Sequence, residues 1–149
     1  LQAAYFVPDD LIIKALLAAM ERGVKIRITV PGKHIDSGMV RTASKATWGD
    51  LIQRGAKVYE YLPTMMHNKM LILDGEMVSV GSTNFDVRSF RLNDEASLNV
   101  YDGDFAPRMT AVVEEDLGHA KRSDHATWRR RPLREEIVEK IVRPIRSQL

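Results

Sequence analysis

The sequence has 149 residues, the length of one domain, since a domain usually takes roughly 100–200 residues. Hydrophobic residues make up 44% and charged residues 28% of the chain, a globular composition that excludes intrinsic disorder. Cysteine is absent, which excludes disulfides and cysteine nucleophiles and fits a reducing compartment. The longest stretch without Asp, Glu, Lys or Arg is the nine-residue Met77–Phe85, whereas a membrane-spanning helix needs about 20 apolar residues.

Charge is distributed unevenly along the chain. Residues 1–118 carry 13 Lys and Arg against 16 Asp and Glu, a net charge of −3, and residues 119–149 carry 9 against 4, a net charge of +5. We therefore divide the chain into a body, residues 1–118, and a basic helical tail, residues 119–149, which we expect to pack on the same domain. The charge of the tail favours contact with an anionic surface, phospholipid or nucleic acid, although a solvated terminal helix has the same composition.

The hydrophobic pattern predicts alternating strands and helices in the first part of the chain. In chain order these are a strand at Gln2–Val7, a helix from Asp9 to Gly23, a strand at Val24–Val30, a helix at Ser37–Arg54 and a strand at Val58–Tyr61. Pro8-Asp9-Asp10 is a helix-opening signal, and Gly55 is placed to cap the second helix.

Strands dominate the next part of the pattern. Two strands, His67–Leu73 and Met77–Val80, flank Asp74-Gly75, a strong hairpin signal. Ser82–Asn93 reads as a loop and Ala96–Tyr101 as a strand, and helical patterns then occupy much of the remainder, interrupted around Ser123–Pro132. This order of elements predicts an α/β fold with a mixed β-sheet flanked by helices.

Side chains able to do chemistry are concentrated at the start of the predicted hairpin. Side chains alternate along a strand, so His67 and Lys69 point to one face, whereas Asp74 has the opposite parity and lies at the turn. An imidazole here is able to act as a nucleophile or proton shuttle, and Lys69 as a fixed positive charge for an anionic group. Taken by themselves, these residues also fit a surface histidine, an edge lysine and an ordinary turn.

Further polar side chains follow the partner strand. Ser82 and Asn84 come directly after Gly81 and are placed to donate hydrogen bonds to the same anion. A reactive imidazole needs an acceptor that holds one ring nitrogen, and Glu95, at the entry to the next strand, is the candidate. The chain has four histidines and no dense cluster of metal ligands; the histidines are His34, His67, His119 and His125.

The spacing of these residues resembles the signature of the phospholipase D superfamily. The pattern His-x-Lys-x4-Asp-x6-Gly-Ser-x-Asn is met at His67, Lys69, Asp74, Gly81, Ser82 and Asn84. Other segments are similar to the carboxy-terminal half of bacterial cardiolipin synthases: Ala4–Asp9, Val30–Gly32, Tyr59–Tyr61, Gly81–Phe90, Leu92–Ala96 and Asn99–Asp102. The likeness covers most of the chain and is least specific after about Arg122.

The resemblance implies a phospholipase D-like fold, of which this chain is one of two halves, and a two-step phosphatidyl transfer. One histidine attacks the phosphodiester of a phospholipid, which leaves a phosphatidyl-histidine, and the other protonates the leaving alkoxide and later deprotonates the incoming alcohol. In a cardiolipin synthase two molecules of phosphatidylglycerol yield cardiolipin and glycerol. No metal and no other cofactor is implied, because cationic side chains stabilise the developing charge.

The resemblance also assigns roles to residues. His67 is the reactive imidazole, as nucleophile or as general acid/base, and Lys69 and Asn84 match the phosphate-binding positions, with Ser82 a weaker candidate for the same work. Glu95 matches the acidic position that orients the histidine. Asp74 belongs to the catalytic signature, although its strand parity favours a structural role.

Other residues have more than one interpretation. Arg88 and Arg91 are within the matched segments and are candidates for a headgroup phosphate, or else solvated loop arginines. Candidates for the lining of an acyl or headgroup channel, or else for the core, are Tyr59, Tyr61, Met65 and Met66. In the tail, Trp128-Arg129-Arg130-Arg131 suits a membrane interface.

The implied partners are anionic phospholipid (phosphatidylglycerol), the membrane surface, and either a missing amino-terminal half or a second copy of the chain. The sequence carries one signature where family members usually have two, has no amino-terminal anchor, and opens with Leu1 rather than Met. We therefore expect a soluble piece of a longer, membrane-anchored protein at the cytoplasmic membrane of a bacterium.

Two other functions remain open. A phospholipase D-type hydrolase, or a nuclease or phosphodiesterase of the same superfamily, would act as a homodimer with two copies completing one site. The acidic body argues against nucleic acid as a partner, because DNA binding normally requires a basic groove. A non-catalytic domain used only for binding is the third possibility.

Overall fold

Seven strands form a mixed β-sheet and two short strands form a second sheet in the computed structural model, which describes residues 1–130. The strands are β1 (Gln2–Ala3), β2 (Phe6–Val7), β3 (Arg27–Pro31), β4 (Lys57–Tyr61), β5 (Lys69–Leu73), β6 (Met77–Gly81), β7 (Phe85–Asp86), β8 (Ser97–Tyr101) and β9 (Ala120–Ser123). The helices are α1 (Asp10–Glu21), α2 (Gly38–Gln53), α3 (Val87–Arg91), α4 (Phe105–Gly118) and α5 (His125–Arg129).

The strand order in the large sheet is β8-β6-β5-β1-β3-β4-β9, and β2 pairs with β7 in the small one. Strands β1, β3 and β4 are parallel to one another. The pairs β1–β5, β5–β6, β6–β8 and β4–β9 are antiparallel. The predicted α/β fold with a mixed sheet flanked by helices is therefore confirmed.

Local capping explains where the first two helices begin and end. The Asp9 carboxylate accepts a hydrogen bond from the backbone N–H of Ile12 at 2.9 Å, and the Ser37 hydroxyl accepts one from Val40 at 3.3 Å. These side chains satisfy N–H groups that have no partner within the helix. At the other end of α2, Gly55 has a φ of +103°, the left-handed conformation that glycine adopts at low cost, as the sequence predicts.

The helices cover the two faces of the large sheet unequally. On one face Trp48 and Leu51 of α2 pack with Ile28 and Val58 of the central strands, and apolar residues of α1 pack around them. On the other face Val113 of α4 packs with residues of β5 and β6. Fully burying one such side chain stabilises the fold by roughly 1.5–3 kcal/mol, so the two clusters fix the sheet between its helices.

Two segments near the small sheet differ from the sequence expectation. The single strand predicted at Gln2–Val7 is divided, because β1 joins the large sheet while Phe6 pairs with Phe85 in the small one. The loop predicted at Ser82–Asn93 contains β7 and α3. Helix α3 is nucleated by Asp86, whose carboxylate accepts a hydrogen bond from the backbone N–H of Ser89 at 2.7 Å.

The beginning of the basic tail also differs. The helical pattern after Gly103 is interrupted by β9, an edge strand whose four residues pair with β4 from Ala120↔Tyr61 to Ser123↔Val58. Helix α5 then lies inside the predicted interruption at Ser123–Pro132. Strand β9 carries exposed Lys and Arg side chains and lacks an apolar alternation, which is why the pattern does not predict it.

The structure corrects the expectation that Trp128 presents its indole to a membrane interface. Its Nε1 donates a hydrogen bond to the carbonyl oxygen of Lys45 at 3.0 Å, and its ring stacks on His125. The ring lies over Gly49 of α2, where a Cβ atom would clash with it. The indole therefore packs on α2, Arg129 and Arg130 are exposed, and the predicted role of Arg131 falls outside the described residues.

Residues 1–130 include no helix long and apolar enough to cross a membrane.

Replacement of Gly81 by Ala is expected to destabilise the protein. A Cβ atom at Gly81 would lie 2.7 Å from the Cα of Ser97 on β8 and would overlap the carbonyl oxygen of Ala96. Because backbone atoms cannot move aside as a flexible side chain does, Gly81→Ala should lower the free energy of unfolding in urea by about 1–3 kcal/mol. In the control Gly118→Ala the new Cβ has no neighbour within 4 Å, so equal losses in the two variants would contradict this explanation.

Candidate active site

His67 and Lys69 lie together at the start of β5. The Lys69 Nζ is 2.9 Å from the Nδ1 and 3.0 Å from the Nε2 of His67, and it also donates a hydrogen bond to the His67 carbonyl oxygen at 3.1 Å. The imidazole is exposed and the lysine is half-buried. The structure thus brings the two side chains together, as strand parity predicts.

The residue between them anchors this part of the chain. The Asn68 Nδ2 donates to the Gln2 Oε1 at 3.0 Å, and the Gln2 Nε2 donates in turn to the Asp116 Oδ2 at 2.6 Å. Gln2 is buried in β1, and Asp116 belongs to α4. Because successive side chains point to opposite faces, anchoring Asn68 on the α4 side directs His67 and Lys69 to the other side.

Lys69 lies in a partly desolvated and acidic environment. Burial lowers the pKa of the Lys69 ammonium, and the negative charges of Glu95, Asp36 and Asp86 act in the opposite direction. Burial also raises the pKa of the Asp86 carboxyl, against the effect of its hydrogen bonds from Ser89. Three nearby carboxylates therefore favour the charged form of Lys69 against the effect of burial.

Asn84 is held by the backbone of the first segment. The backbone N–H of Tyr5 donates to the Asn84 Oδ1 at 3.1 Å, and the backbone N–H of Phe85 donates to the carbonyl oxygen of Tyr5 at 3.1 Å. With Oδ1 occupied, the Nδ2 of Asn84 has no partner within residues 1–130. This amide group is therefore a hydrogen-bond donor available to an anion.

Glu95 is the centre of a hydrogen-bond network. Its carboxylate accepts hydrogen bonds from the hydroxyl of Ser82, from the hydroxyl of Ser89 at 3.0 Å and from the Nδ2 of Asn93 at 3.3 Å. The bond from Ser82, followed by that from Asn93, lowers the pKa of the Glu95 carboxyl. In the part of the chain that the structure describes, Glu95 makes no hydrogen bond to His67.

Ser82 is a poorer candidate anion donor than Asn84. Its hydroxyl donates to Glu95, and its oxygen accepts a hydrogen bond from the backbone N–H of Ala96 at 3.1 Å. A hydroxyl has a single proton, so binding an anion through Ser82 would require it to leave Glu95.

Asp74 lies apart from this cluster. It occupies the turn that joins β5 to β6, at the opposite end of β5 from Lys69, with a φ of +51°, and Gly75 follows with a φ of +73°. Asp and Gly are favoured where a hairpin requires two successive positive φ angles. The position agrees with the structural role that strand parity predicts for Asp74.

Within residues 1–130, none of the other candidates forms a hydrogen bond with the His67 imidazole. The Arg91 Nη2 donates to the Asp9 Oδ2 at 2.8 Å in an exposed ion pair, and Arg88 is exposed. Tyr59 shares a sheet face with Gln2 and Thr29, the face opposite to Lys69, and Tyr61 has the same parity. Met66 is buried and Met65 is half-buried, which favours the packing interpretation for this pair.

Several contacts of the site were not predicted. Ser89, Asn93 and Tyr5 belong to segments that resemble the family, but the short helix that brings Ser89 to Glu95 was read as a loop. The hydrogen bond between Tyr5 and Asp36 spans 31 positions of sequence, and the local pattern gives no signal for it.

No three His, Asp or Glu side chains converge on a possible metal position anywhere in residues 1–130.

Removal of the Ser82 hydroxyl is expected to raise the pKa of Glu95. The pKa of Glu95 is lowered in the folded state, so its carboxylate stabilises the fold at neutral pH, and this contribution is lost as the pH falls through the folded pKa. The loss of unfolding free energy in Ser82→Ala should therefore be larger at about pH 7 than at about pH 3 in urea titrations.

Thr83→Val provides the control for this measurement. It removes the hydrogen bond between the hydroxyls of Thr83 and Ser97, 3.0 Å apart, without a carboxylate partner. Its effect should be the same at both pH values. If the loss of unfolding free energy in Ser82→Ala is also the same at both pH values, the Ser82 hydroxyl does not stabilise the Glu95 carboxylate.

Comparison with known sequences places this chain in a family. Residues 1–117 match the family described as "Cardiolipin synthase, PLD-like domain". The chain is 40% identical to a cardiolipin synthase of Geobacillus sp. (strain WCH70) over 139 residues, and this alignment covers 93% of the chain. It is 36% identical over 137 residues to cardiolipin synthase A of Erwinia tasmaniensis. The chain spans 28% of the length of each of these relatives.

Solved structures show the same fold at lower sequence identity. Nuc from Salmonella typhimurium, a phospholipase D family member, superposes with a TM-score of 0.72 at 23% identity, over 83% of this chain and 79% of Nuc. The phosphatidylserine synthase of Haemophilus influenzae superposes with a TM-score of 0.69 at 17% identity, over 99% of this chain and 40% of the synthase. The resemblance predicted from the signature is confirmed, and the chain belongs to the cardiolipin synthase PLD-like domain family.

Proposed function

We propose that this chain supplies one half-site of a phosphatidyltransferase that makes cardiolipin from two molecules of phosphatidylglycerol and releases glycerol. The observation that carries the proposal is the exposed imidazole of His67 against the ammonium of Lys69, in a chain of the cardiolipin synthase PLD-like family. A nucleophile or proton shuttle next to a fixed cation suits attack on a phosphodiester, whose negative charge the cation attracts.

The transfer proceeds in two steps through a phosphatidyl-histidine. In the first, an imidazole nitrogen forms a bond to phosphorus while the bond from phosphorus to the glycerol oxygen breaks, and a second imidazole gives that oxygen a proton. In the second, the same second imidazole removes a proton from the hydroxyl of the acceptor lipid. The acceptor oxygen then bonds to phosphorus as the nitrogen–phosphorus bond breaks. His67 is suited to either role, as nucleophile or as general acid/base.

Lys69 and Asn84 stabilise the phosphoryl oxygens in both steps. The Lys69 ammonium supplies positive charge where negative charge develops, and the Nδ2 of Asn84 supplies a donor that no described residue occupies. Glu95 holds Ser82, Ser89 and Asn93 around this position, and we propose that it also orients an imidazole in the complete site.

The second imidazole comes from another half, either an amino-terminal half of the same protein or a second copy of this chain. The other histidines of this chain lie elsewhere: His34 precedes α2, His119 ends α4 and His125 belongs to α5. On the sheet face that carries Lys69, the side chains of Leu73 and Tyr101 are 47% and 78% exposed. These exposed apolar side chains, at the opposite end of β5 from Lys69, suit contact with the other half.

The enzyme acts at a membrane surface, since its substrate is an anionic lipid. The exposed Arg129 and Arg130 add positive charge to the start of the tail. Each basic residue near an anionic bilayer contributes about 1 kcal/mol of attraction. The bacterial cytoplasmic membrane is the proposed site of action.

His67→Ala is expected to abolish phosphatidyl transfer. The full-length protein that carries this chain is incubated with vesicles of labelled phosphatidylglycerol in the presence of EDTA, and glycerol and cardiolipin are measured. Loss of the imidazole should lower the initial rate at least about 100-fold, whichever of its two roles His67 has. The matched control is His119→Ala, an exposed imidazole at the end of α4, which should keep the wild-type rate.

The products also separate the alternatives. Equimolar glycerol and cardiolipin, both dependent on His67, support the transferase. Phosphatidic acid in place of cardiolipin would identify a phospholipase D-type hydrolase on the same scaffold. If neither lipid product forms, nucleic-acid phosphodiesters become the substrates to test, and a pure binding function follows if those too remain uncleaved.

The chain by itself is expected to be inactive as a monomer. Transfer through a histidine intermediate needs two imidazoles at one phosphorus, and this chain brings one to the cluster. The mass of the species in solution is measured by light scattering alongside the lipid assay, with the full-length protein at equal molarity as the reference. Robust turnover by a demonstrated monomer would contradict the proposal that this chain supplies only one half-site.

A further inference from the structure

Tyr5 lies where the chain passes from the large sheet to the small one. Strand β1 pairs with β5 as far as Ala3↔Lys69, and Phe6 then pairs with Phe85, so Tyr5 is the residue next to the small sheet. Its backbone N–H holds the amide of Asn84, so Tyr5 contacts the phosphate-binding group directly.

The Tyr5 side chain is paired with Asp36. The phenol Oη lies 2.9 Å and 2.8 Å from the two carboxylate oxygens and donates its one proton to this carboxylate. Burial and this hydrogen bond raise the pKa of Tyr5 to about 12, so the phenol keeps its proton at neutral pH. Asp36 is exposed, immediately before the residue that caps α2, and its charge raises the pKa of Lys69. The pair therefore stands at the edge of the site, within electrostatic range of the ammonium.

We propose that Tyr5 and Asp36 form a subsite for the free hydroxyl groups of the alcohol that enters or leaves at phosphorus, and so select a polyol over a simple alcohol. The inference rests on the proposed function and names a specificity determinant for it. A carboxylate repels the phosphoryl group but accepts hydrogen bonds from hydroxyls, and a phenol oxygen accepts one while its proton is donated to Asp36. The headgroup of phosphatidylglycerol carries two such hydroxyls beyond its ester oxygen.

The geometry also explains why these two residues, rather than the neighbouring acidic groups, take this role. The Glu95 carboxylate is occupied by three side-chain donors, and the Asp86 side chain is buried as the cap of α3. Asp36 is exposed, and the Tyr5 phenol is its side-chain partner. A hydroxyl from solvent or from a lipid headgroup therefore reaches Asp36 without breaking the fold.

The test is a competition between two acceptors. The full-length protein is given vesicles of acyl-labelled phosphatidylglycerol with equal concentrations of carbon-13 glycerol and 1-propanol, which have the same carbon chain length. Mass spectrometry measures initial formation of carbon-13 phosphatidylglycerol and of phosphatidylpropanol in the same reaction. Because both products arise from one intermediate, their ratio reports acceptor selection and is independent of how much protein is folded.

Asp36→Asn and Tyr5→Phe are expected to lower the ratio of glycerol to propanol product, by about tenfold for Asp36→Asn, which loses a charged hydrogen-bond acceptor. The matched controls, Asp50→Asn at an exposed position of α2 and Tyr59→Phe on the opposite face of the sheet, should leave the ratio unchanged.

The outcomes separate this inference from the proposed function. A wild-type protein that transfers to glycerol, together with variants whose two rates fall equally, would overturn the subsite and leave the transferase intact. A wild-type protein that forms neither product would overturn the transferase and the subsite with it. A ratio that falls in both site variants and in neither control supports the subsite.

Discussion

The position of the reactive pair depends on an anchor on the opposite side of the sheet. Asn68 is tied through Gln2 to Asp116 of α4, and the alternation of a strand then directs His67 and Lys69 away from that helix. The packing of α4 and the position of His67 and Lys69 are in this way coupled through one buried glutamine.

The sequence predicts those parts of the site that depend on neighbours along the chain. Strand parity places His67 with Lys69 and Asp74 away from them, and Gly55 marks the end of α2. What it does not predict depends on contacts between distant segments. Strand β9 has no apolar alternation because it lies at the sheet edge, and the pair of Tyr5 and Asp36 exists only once β1 and the loop before α2 are adjacent. Helix α3 is too short for a periodicity to be visible.

The charge of Lys69 is balanced by carboxylates from separate parts of the chain. Glu95, Asp36 and Asp86 all act on Lys69, yet each is fixed by different partners: serine and asparagine side chains, a phenol, and the cap of a helix. A negatively charged group is therefore attracted by Lys69 and repelled by the three carboxylates.

The amide of Asn84 is held by main-chain atoms of Tyr5, whereas the phenol of the same residue faces Asp36. Any amino acid other than proline at this position keeps the N–H that orients Asn84. The position of the Asn84 amide is thus independent of the side chain that the residue at position 5 carries. A substitution of Tyr5 by any residue other than proline removes the contact with Asp36 and keeps the backbone contact with Asn84.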